Sequence, residues 1–333
     1  MNIDQRFMRR AIELAKHGLG NTSPNPMVGA VIVNDGKIIG EGYHRRCGEG
    51  HAEVNAVASV RDKSLLKDST IYVTLEPCSH YGKTPPCSKL IIDSGIPRVV
   101  VGSTDPNEKV SGRGIKMLRD AGVEVVTGVL EKECREINPV FMTAHTLRRP
   151  WVTLKWAQSR DGYIDRIRTA EETPALFSTP VTKALTHRLR SLHDAIMTGS
   201  GTVKADNPSL DVREWHGRNP RPVIAGNPPA GCRLLDGSRE TLVFSGAANA
   251  ESIKEYLSLL FSQGITSVLV EGGASLLKSF IESGLWDMAR IETAPFSLGD
   301  GVEAPILGRM PDRDLTIGNN HLYYFSNNPF LWR

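Results

Sequence analysis

The stretch TIYVTLEPCSHYGKTPPCSKLIIDSG, residues 70–95, decides the fold of the first half of the chain. Its opening, TIYVTLEP, is rich in β-branched and aromatic side chains and reads as a strand. Its end, CSKLIIDSG, reads as a helix closed by Gly95. The loop between them is stiffened by Pro77, Pro85 and Pro86 and carries two of the five cysteines of the chain. The neighbouring segments repeat the pattern. RVVVGSTDP (98–106) and VEVVTGVL (123–130) read as strands around a helix IKMLRDAG (115–122). Upstream, residues 4–18 read as a helix with Phe7, Ala11, Leu14 and Ala15 at helical spacing and Asp4 as its cap. MVGAVIVNDGKIIGEGYH (27–44) reads as a hairpin turning at Asn-Asp-Gly, and HAEVNAVASV (51–60) as a helix. Strands alternating with helices predict a helix-covered, mostly parallel sheet.

A break falls at TAHTLRRP (143–150), after which the pattern restarts. PWVTLKWAQSRDG (150–162), DAIMTG (194–199) and TSVLVEGG (266–273) read as strands. Helices are predicted near 181–192 and 250–262 and at SLLKSFIESG (275–284), and TVKADNPSL (202–210) as a loop. Residues 215–231 are rich in Pro and Gly. With 333 residues, about two domains are expected. A net charge of +3, 40% hydrophobic and 23% charged residues fit a globular protein and give no basis for nucleic-acid or membrane partners. No run approaches the ~18 apolar residues of a membrane span, and the N-terminus lacks the apolar core of a signal peptide. Cys47, Cys78, Cys87, Cys134 and Cys232 form no disulfide framework, which points to reduced thiols and a cytoplasmic location.

The two loop cysteines find a partner in His51. His51 and Cys87 each stand at a predicted helix start, where unpaired N–H groups favour thiolate, and Cys78 follows a strand end. One imidazole and two sulfurs make a three-ligand zinc site with a fourth position open for water. Glu53, in the same first turn as His51, places a carboxylate beside the metal without ligating it, as a proton shuttle. His-x-Glu with a later Pro-Cys and a second Cys is the signature of zinc nucleobase deaminases. The competing reading is a closed structural site with His80 as fourth ligand. One departure stands out: eight residues separate Cys78 from Cys87, where the general signature has two.

PNPMVGAVIV (24–33), GEGYH (40–44), HAEVNA (51–56), TLEPCSHYGKTPPC (74–87) and DPNEKVSGRG (105–114) together resemble the bifunctional riboflavin-biosynthesis deaminase–reductases, whose own variant is the long Cys–Cys loop. The resemblance implies an α/β protein. A cytidine-deaminase-like α/β/α sandwich would occupy residues 1–146, and a dihydrofolate-reductase-like α/β domain residues 147–333. It implies zinc, NADPH, a small phosphorylated aminopyrimidine substrate and a homo-oligomer. Carried over by position, Asn25 and His44 would line the pyrimidine and sugar side, and His80, Lys83 and Asn107 would contact ribose or phosphate.

In the second half, LKWAQSRDG (154–162), TVKADNPSLDVR (202–213) and LVEGGASLL (269–277) resemble the reductase part of that family. The resemblance implies substrate contacts at Lys155, Arg190, Leu210, Arg213 and Glu271. It implies cofactor contacts at Ala157, Thr202, Asp206, Gly273, Ala274 and Ser275. Two departures accompany it. The family's Ser-x-Trp-Ile-Thr run reads TPALFSTP (173–180), with the aromatic absent or displaced to Phe177. The strand that usually precedes an acidic residue reads PVIAGN (222–227), with Ala225 and Gly226. The alternatives are a working deaminase with a degenerate, inactive reductase domain, and an RNA- or DNA-base deaminase. Six per cent aromatics and no basic stripe disfavour the latter.

Overall fold

The apolar runs at 29–34, 69–75 and 98–103 become central strands in a computed structural model that describes residues 2–81, 85–107, 111–169 and 171–328. The chain divides into two units, Met1–Leu147 and Arg148–Arg333.

The first unit opens with α1 (Ile3–Ala15). Asn2, not Asp4, caps it. The Asn2 side chain accepts from the Gln5 N–H at 2.8 Å, and the Gln5 side chain accepts from the Asn2 N–H at 3.2 Å. Asp4 already lies inside the first turn, and its carboxylate instead accepts from Arg98 and Tyr72. β1 (Gly29–Asn34) and β2 (Lys37–Tyr43) form the hairpin. Its turn residues Asp35 and Gly36 have φ of 45° and 68°, as a type I′ turn requires. There follow α2 (Ala52–Ser59), β3 (Ser69–Leu75), α3 (Cys87–Asp93), β4 (Arg98–Ser103), α4 (Arg113–Asp120), β5 (Glu124–Thr127), α5 (Glu131–Glu136) and α6 (Pro139–Leu147).

Among the described residues the strand order is β2-β1-β3-β4-β5. β3, β4 and β5 run parallel, and β1 is antiparallel to both its neighbours, so the sheet is mixed rather than mostly parallel. Both faces are covered. Ile32, Ile71, Val73, Val99 and Val101 pack with Ala52, Ala56, Ile91 and Leu118 of α2–α4. The alternate residues Val31, Tyr72 and Val100 pack with Phe7, Met8, Ala11 and Ile12 of α1 and Cys134 of α5. Each fully buried large apolar side chain contributes about 1.5–3 kcal/mol. The functional consequence is directional. β2, β3 and β4 end at the same edge of the sheet, and α2 and α3 begin there.

The second unit contains β6 (Trp151–Gln158), β7 (Tyr163–Asp165), α7 (Pro180–Ser191), β8 (Ala195–Gly199), α8 (Ser200–Asp206), β9 (Arg221–Ala225), β10 (Leu242–Phe244), α9 (Ala250–Ser262), β11 (Ser267–Val270), α10 (Ala274–Ser283), β12 (Met288–Thr293), β13 (Val302–Glu303), β14 (Arg313–Ile317) and β15 (Asn320–Ser326). The order β10-β9-β8-β11-β6-β12-β15-β14 is parallel through β12 and antiparallel beyond it. The segment 202–210, expected as a loop, begins in helix: α8 leaves β8 directly and stops where Asn207 takes φ 41°. Its anchor is a single buried residue, Val203, packed with Ile196, Ile224 and Leu269, too little for a periodic signal. No helix among the described residues is long and apolar enough to cross a membrane.

Candidate active sites

His51 is the N-cap of α2, Cys87 is the first residue of α3, and Cys78 lies three residues past β3. The shared sheet edge therefore brings all three together. His51 Nδ1 is 3.4 Å from the Cys87 sulfur and 3.7 Å from the Cys78 sulfur, and all three donor atoms lie within 4.8 Å of one another. Zinc–sulfur and zinc–nitrogen bonds of about 2.3 and 2.1 Å at a tetrahedral angle separate S from N by about 3.6 Å. The donor set and its spacing fit zinc. The Cys87 N–H at the start of α3 donates to the Cys78 sulfur at 3.3 Å. The Cys87 thiol, that N–H and the His51 ring together hold the Cys78 thiol well below its usual value, which favours the thiolate a metal needs. The adjoining Cys78 sulfur, with burial, pushes Cys87 up, so one thiol of the pair gives up its proton first.

Glu53, in the first turn of α2, is 3% exposed. Burial, reinforced by the neighbouring Cys78, pushes its carboxyl up to about 7. It lies within hydrogen-bond reach of Cys87 and outside the three-residue cluster. His80 is exposed and also outside that cluster, so the described residues supply three ligands and an open position rather than a closed site. His44 is buried edge-on against His51, ring centroids 5.4 Å apart. Its Nδ1–H donates to the Gly50 carbonyl at 3.2 Å, leaving Nε2 to accept from the Asn25 amide at 3.3 Å. Burial keeps the ring below its ordinary pKa. Asn107 sits half-buried, its N–H donating to Asp105 Oδ1 at 2.8 Å. Lys83 lies outside the described residues.

Sequence reasoning missed Glu76, the acid just ahead of Pro77-Cys78. It is buried, and its two oxygens accept four backbone N–H groups. Gly114 and Ile115 donate to Oε1 at 3.0 and 3.3 Å, and Gly112 and Asp105 donate to Oε2 at 3.0 and 3.3 Å. Glu76 thereby locks the cysteine loop to the start of α4. Gly114 is required there, since an added Cβ would stand 1.9 Å from the Pro77 carbonyl oxygen. The signal was available as SGRG (111–114), whose bare backbone fits a buried anion. Asn138, also missed, pins the Asn25 loop. Its side chain accepts from the Met27 N–H at 2.7 Å and donates to the Met27 carbonyl at 2.8 Å.

The second unit holds a cavity of about 930 Å³. It is lined by Lys155, Ala157, Arg190, Thr202, Asp206, Leu210, Glu271, Gly273, Ala274 and Ser275 among others. Arg213 is not in this lining; its guanidinium donates to Asp211 at 2.5 Å and to Ser209 at 3.0 Å. Arg190 grips Glu271 through two hydrogen bonds of 2.9 and 2.8 Å and donates to the Asp211 carbonyl. Burial opposes the charge on Glu271, but Arg190, Lys155 and Arg290 outweigh it and hold the carboxyl down at about 2. Burial also lowers Lys155, with Glu271 opposing and Arg290 assisting.

Three glycine-bearing turns meet this cavity. No side chain caps α10, so the N–H groups of its first turn keep the capacity to bind an anion. The Gly273 N–H donates to Thr202 Oγ1 at 2.9 Å. At Gly201 and Gly246 an added Cβ would meet nothing within 4 Å, so bare backbone there leaves room for a ligand. This cradle and the cavity volume fit a dinucleotide. Phe177 lines the cavity and stacks on Phe296, centroids 5.7 Å apart and planes 9° apart.

Comparison with known proteins gives a consistent picture. The cytidine and deoxycytidylate deaminase zinc-binding region model matches residues 1–103, and the RibD C-terminal domain model matches residues 150–325. "Riboflavin biosynthesis protein RibD" of Bacillus amyloliquefaciens is 42% identical over 333 residues, covering 92% of this chain and 88% of that protein. Its counterpart from Aquifex aeolicus is 40% identical over 329 residues, covering 92% and 91%. A solved structure from Thermotoga maritima, described as a diaminohydroxyphosphoribosylaminopyrimidine deaminase/5-amino-6-(5-phosphoribosylamino)uracil reductase, superposes with a TM-score of 0.84. It is 36% identical and covers 97% of this chain and 98% of its own. Acinetobacter baumannii RibD gives the same TM-score and coverage at 32% identity.

Proposed function

This chain belongs to the RibD family, bifunctional deaminase–reductases of riboflavin biosynthesis that use zinc and NADPH, and we propose that its two units divide the work between the two sites described above. The proposed substrate is 2,5-diamino-6-ribosylamino-4(3H)-pyrimidinone 5′-phosphate.

In the first unit, His51, Cys78 and Cys87 would hold the zinc. The metal supplies the Lewis acidity that brings the pKa of an attacking water from 15.7 toward ~7. Glu53 takes a proton from that water as its oxygen bonds to the ring carbon bearing the amine. It passes that proton to the ring nitrogen, then carries the proton of the newly added hydroxyl to the departing amine, and ammonia leaves as the carbonyl forms. Asn25 and His44 orient the pyrimidine and sugar, their mutual hydrogen bond fixing which His44 nitrogen carries the proton. His80, Asn107 and the lysine at 83 serve the ribose phosphate.

In the second unit, bound NADPH would supply the hydride for conversion of the ribosyl group to ribityl. Ala157, Thr202, Asp206 and Gly273–Ser275 would hold the cofactor, the α10 N-terminus offering its N–H groups to an anion. Lys155 and Arg190 would hold the substrate's phosphate or ribose, and Leu210 and Glu271 would contact the rest of the substrate. The departure at 222–227 leaves Ala225 and Gly226 in the cavity wall, so β9 sets no carboxylate against a phosphorylated ribose. An inactive second unit is not favoured, because the polar cavity residues are present together. The same reading places the enzyme in the cytoplasm as a homo-oligomer, which sedimentation of the purified protein tests.

The observation that carries the reading is the spacing of one imidazole nitrogen and two sulfurs around a tetrahedral centre, with a buried carboxylate beside them. Incubating the purified protein with the aminopyrimidine phosphate, with and without NADPH, tests both halves. Ammonia should appear in either case and NADPH oxidation only after deamination. Release of neither product sinks the assignment.

A further inference from the structure

The segment after β7 runs along the wall of the second unit's cavity, where Asp165, Arg168, Ala175 and Phe177 all line it. Arg168 organises that segment. Its side chain is only 7% exposed, and its Nε donates to Asp165 at 2.7 Å. One terminal nitrogen donates to the carbonyls of Glu172 and Thr169 at 3.2 and 3.5 Å. The other donates to Asp206, the last residue of α8. Asp165 spends its other oxygen on the Ala175 N–H at 2.9 Å. One guanidinium therefore closes the segment on itself and ties it to α8 across the cavity wall.

We infer that Arg168 is a positioning residue of the reductase. It holds the Asp206 carboxylate and the 165–177 segment in an arrangement that admits an anionic dinucleotide. This inference rests on Asp206 facing the cofactor, as proposed above. Asp165 and Asp206 bring two negative charges to the wall, and Arg168 cancels one. Without it, Asp206 is free to turn toward the cofactor phosphates, and repulsion between like charges in a partly buried site costs affinity. Lysine is a poor substitute, because a point-charge ammonium lacks the fork that spans two carboxylates and two carbonyls.

The test uses full-length, zinc-loaded protein and reads NADPH Kd by fluorescence titration alongside reductase kinetics. Arg168→Met should raise Kd and KM for NADPH about tenfold, with kcat at saturating NADPH changed far less. Arg168→Lys should recover part of the loss. Adding Asp165→Asn to Arg168→Met should recover part of it, because one of the two carboxylates left without a counter-charge is gone; loss of a merely structural tie would not be repaired that way. Parental NADPH affinity in Arg168→Met, or no recovery in the double variant, overturns the inference. If Arg168→Met does not accumulate as folded protein, Arg168→Lys decides, and an unchanged Kd there overturns it. Where Asp206→Asn alone shifts Kd and Arg168→Met does not, only the role of Arg168 is lost. Where neither does, the placement of the cofactor fails as well.

Discussion

Replacing Glu76 by Gln exchanges one carboxylate oxygen for an amide nitrogen of nearly the same size. In the parent each oxygen accepts two backbone N–H groups: Oε1 from Gly114 and Ile115, Oε2 from Asp105 and Gly112. Whichever way the amide turns, two hydrogen bonds vanish and two donors face a donor. A hydrogen bond to a charged group contributes about 1.5–3 kcal/mol, so two give ~3–6 kcal/mol if nothing relaxes. Part of that returns as the 105–115 backbone finds water, and about 3 kcal/mol is the expected net loss. A unit of 147 residues shifts its midpoint by roughly 3 °C per kcal/mol, so the first unit should melt about 10 °C lower. Differential scanning calorimetry reads this directly, with the transition of the second unit as an internal reference. Zinc retention after dialysis should fall too, because Cys78 lies two residues from the altered anchor. A first-unit midpoint within about 2 °C of the parent would refute the view that Glu76 is a four-donor anchor.

Glu53→Gln should lower deaminase turnover by about 10²–10⁴-fold while zinc content, read by atomic absorption, stays near one per chain; persistent activity removes Glu53 as the proton shuttle. Cys87→Ala should strip most of the zinc at neutral pH, and a fully loaded variant would contradict the three-ligand assignment. The Arg98 guanidinium holds the Asp4 carboxyl below its ordinary value, against burial, and Tyr72 assists. A lowered native pKa stabilises above the unfolded value of about 3.9, and that contribution is lost as the pH falls through the native value. Asp4→Asn should therefore cost about 1 kcal/mol in urea unfolding at pH 7, with the gap narrowing below pH ~4; a gap that widens in acid reverses the sign. Gly273→Val places methyl groups where a Cβ already approaches Thr202 Oγ1 to 3.2 Å. It should raise NADPH Kd by about tenfold or more, and an unchanged Kd moves the phosphates away from α10.

Much of the fold was legible because its signals are local. Strand alternation, the Asp35-Gly36 turn, and Gly95 at φ 72° each need only a few neighbouring residues. The site in the first unit was legible for a related reason: zinc chemistry restricts the donors to a few side-chain types, and the sheet edge collects helix starts. The illegible parts lacked that local redundancy. α8 rests on one buried valine and carries no periodic pattern. Helix α1 was read with Asp4 as its cap, but Arg98, far along the chain, engages that carboxylate, and Asn2 caps instead. The mixed direction of the first sheet follows from β1 sitting between β2 and β3, a pairing no local pattern specifies.

What sequence reading overlooked at the sites shares one property. Glu76 meets Gly114 across 38 residues, Asn138 meets Met27 across 111, and Arg168 meets Asp206 across 38. None of these side chains needs to touch substrate, metal or cofactor; each fixes the backbone or carboxylate that does. Groups that perform chemistry are constrained in type by the reaction, so their letters announce them. Groups that position them are constrained only by what happens to lie opposite in the fold, and any donor or acceptor of the right reach serves. A buried carboxylate with four N–H donors, or a guanidinium shared between two carboxylates, is recognisable only once the chain has folded. It is expensive to disturb for that same reason, because every partner left behind is itself removed from water.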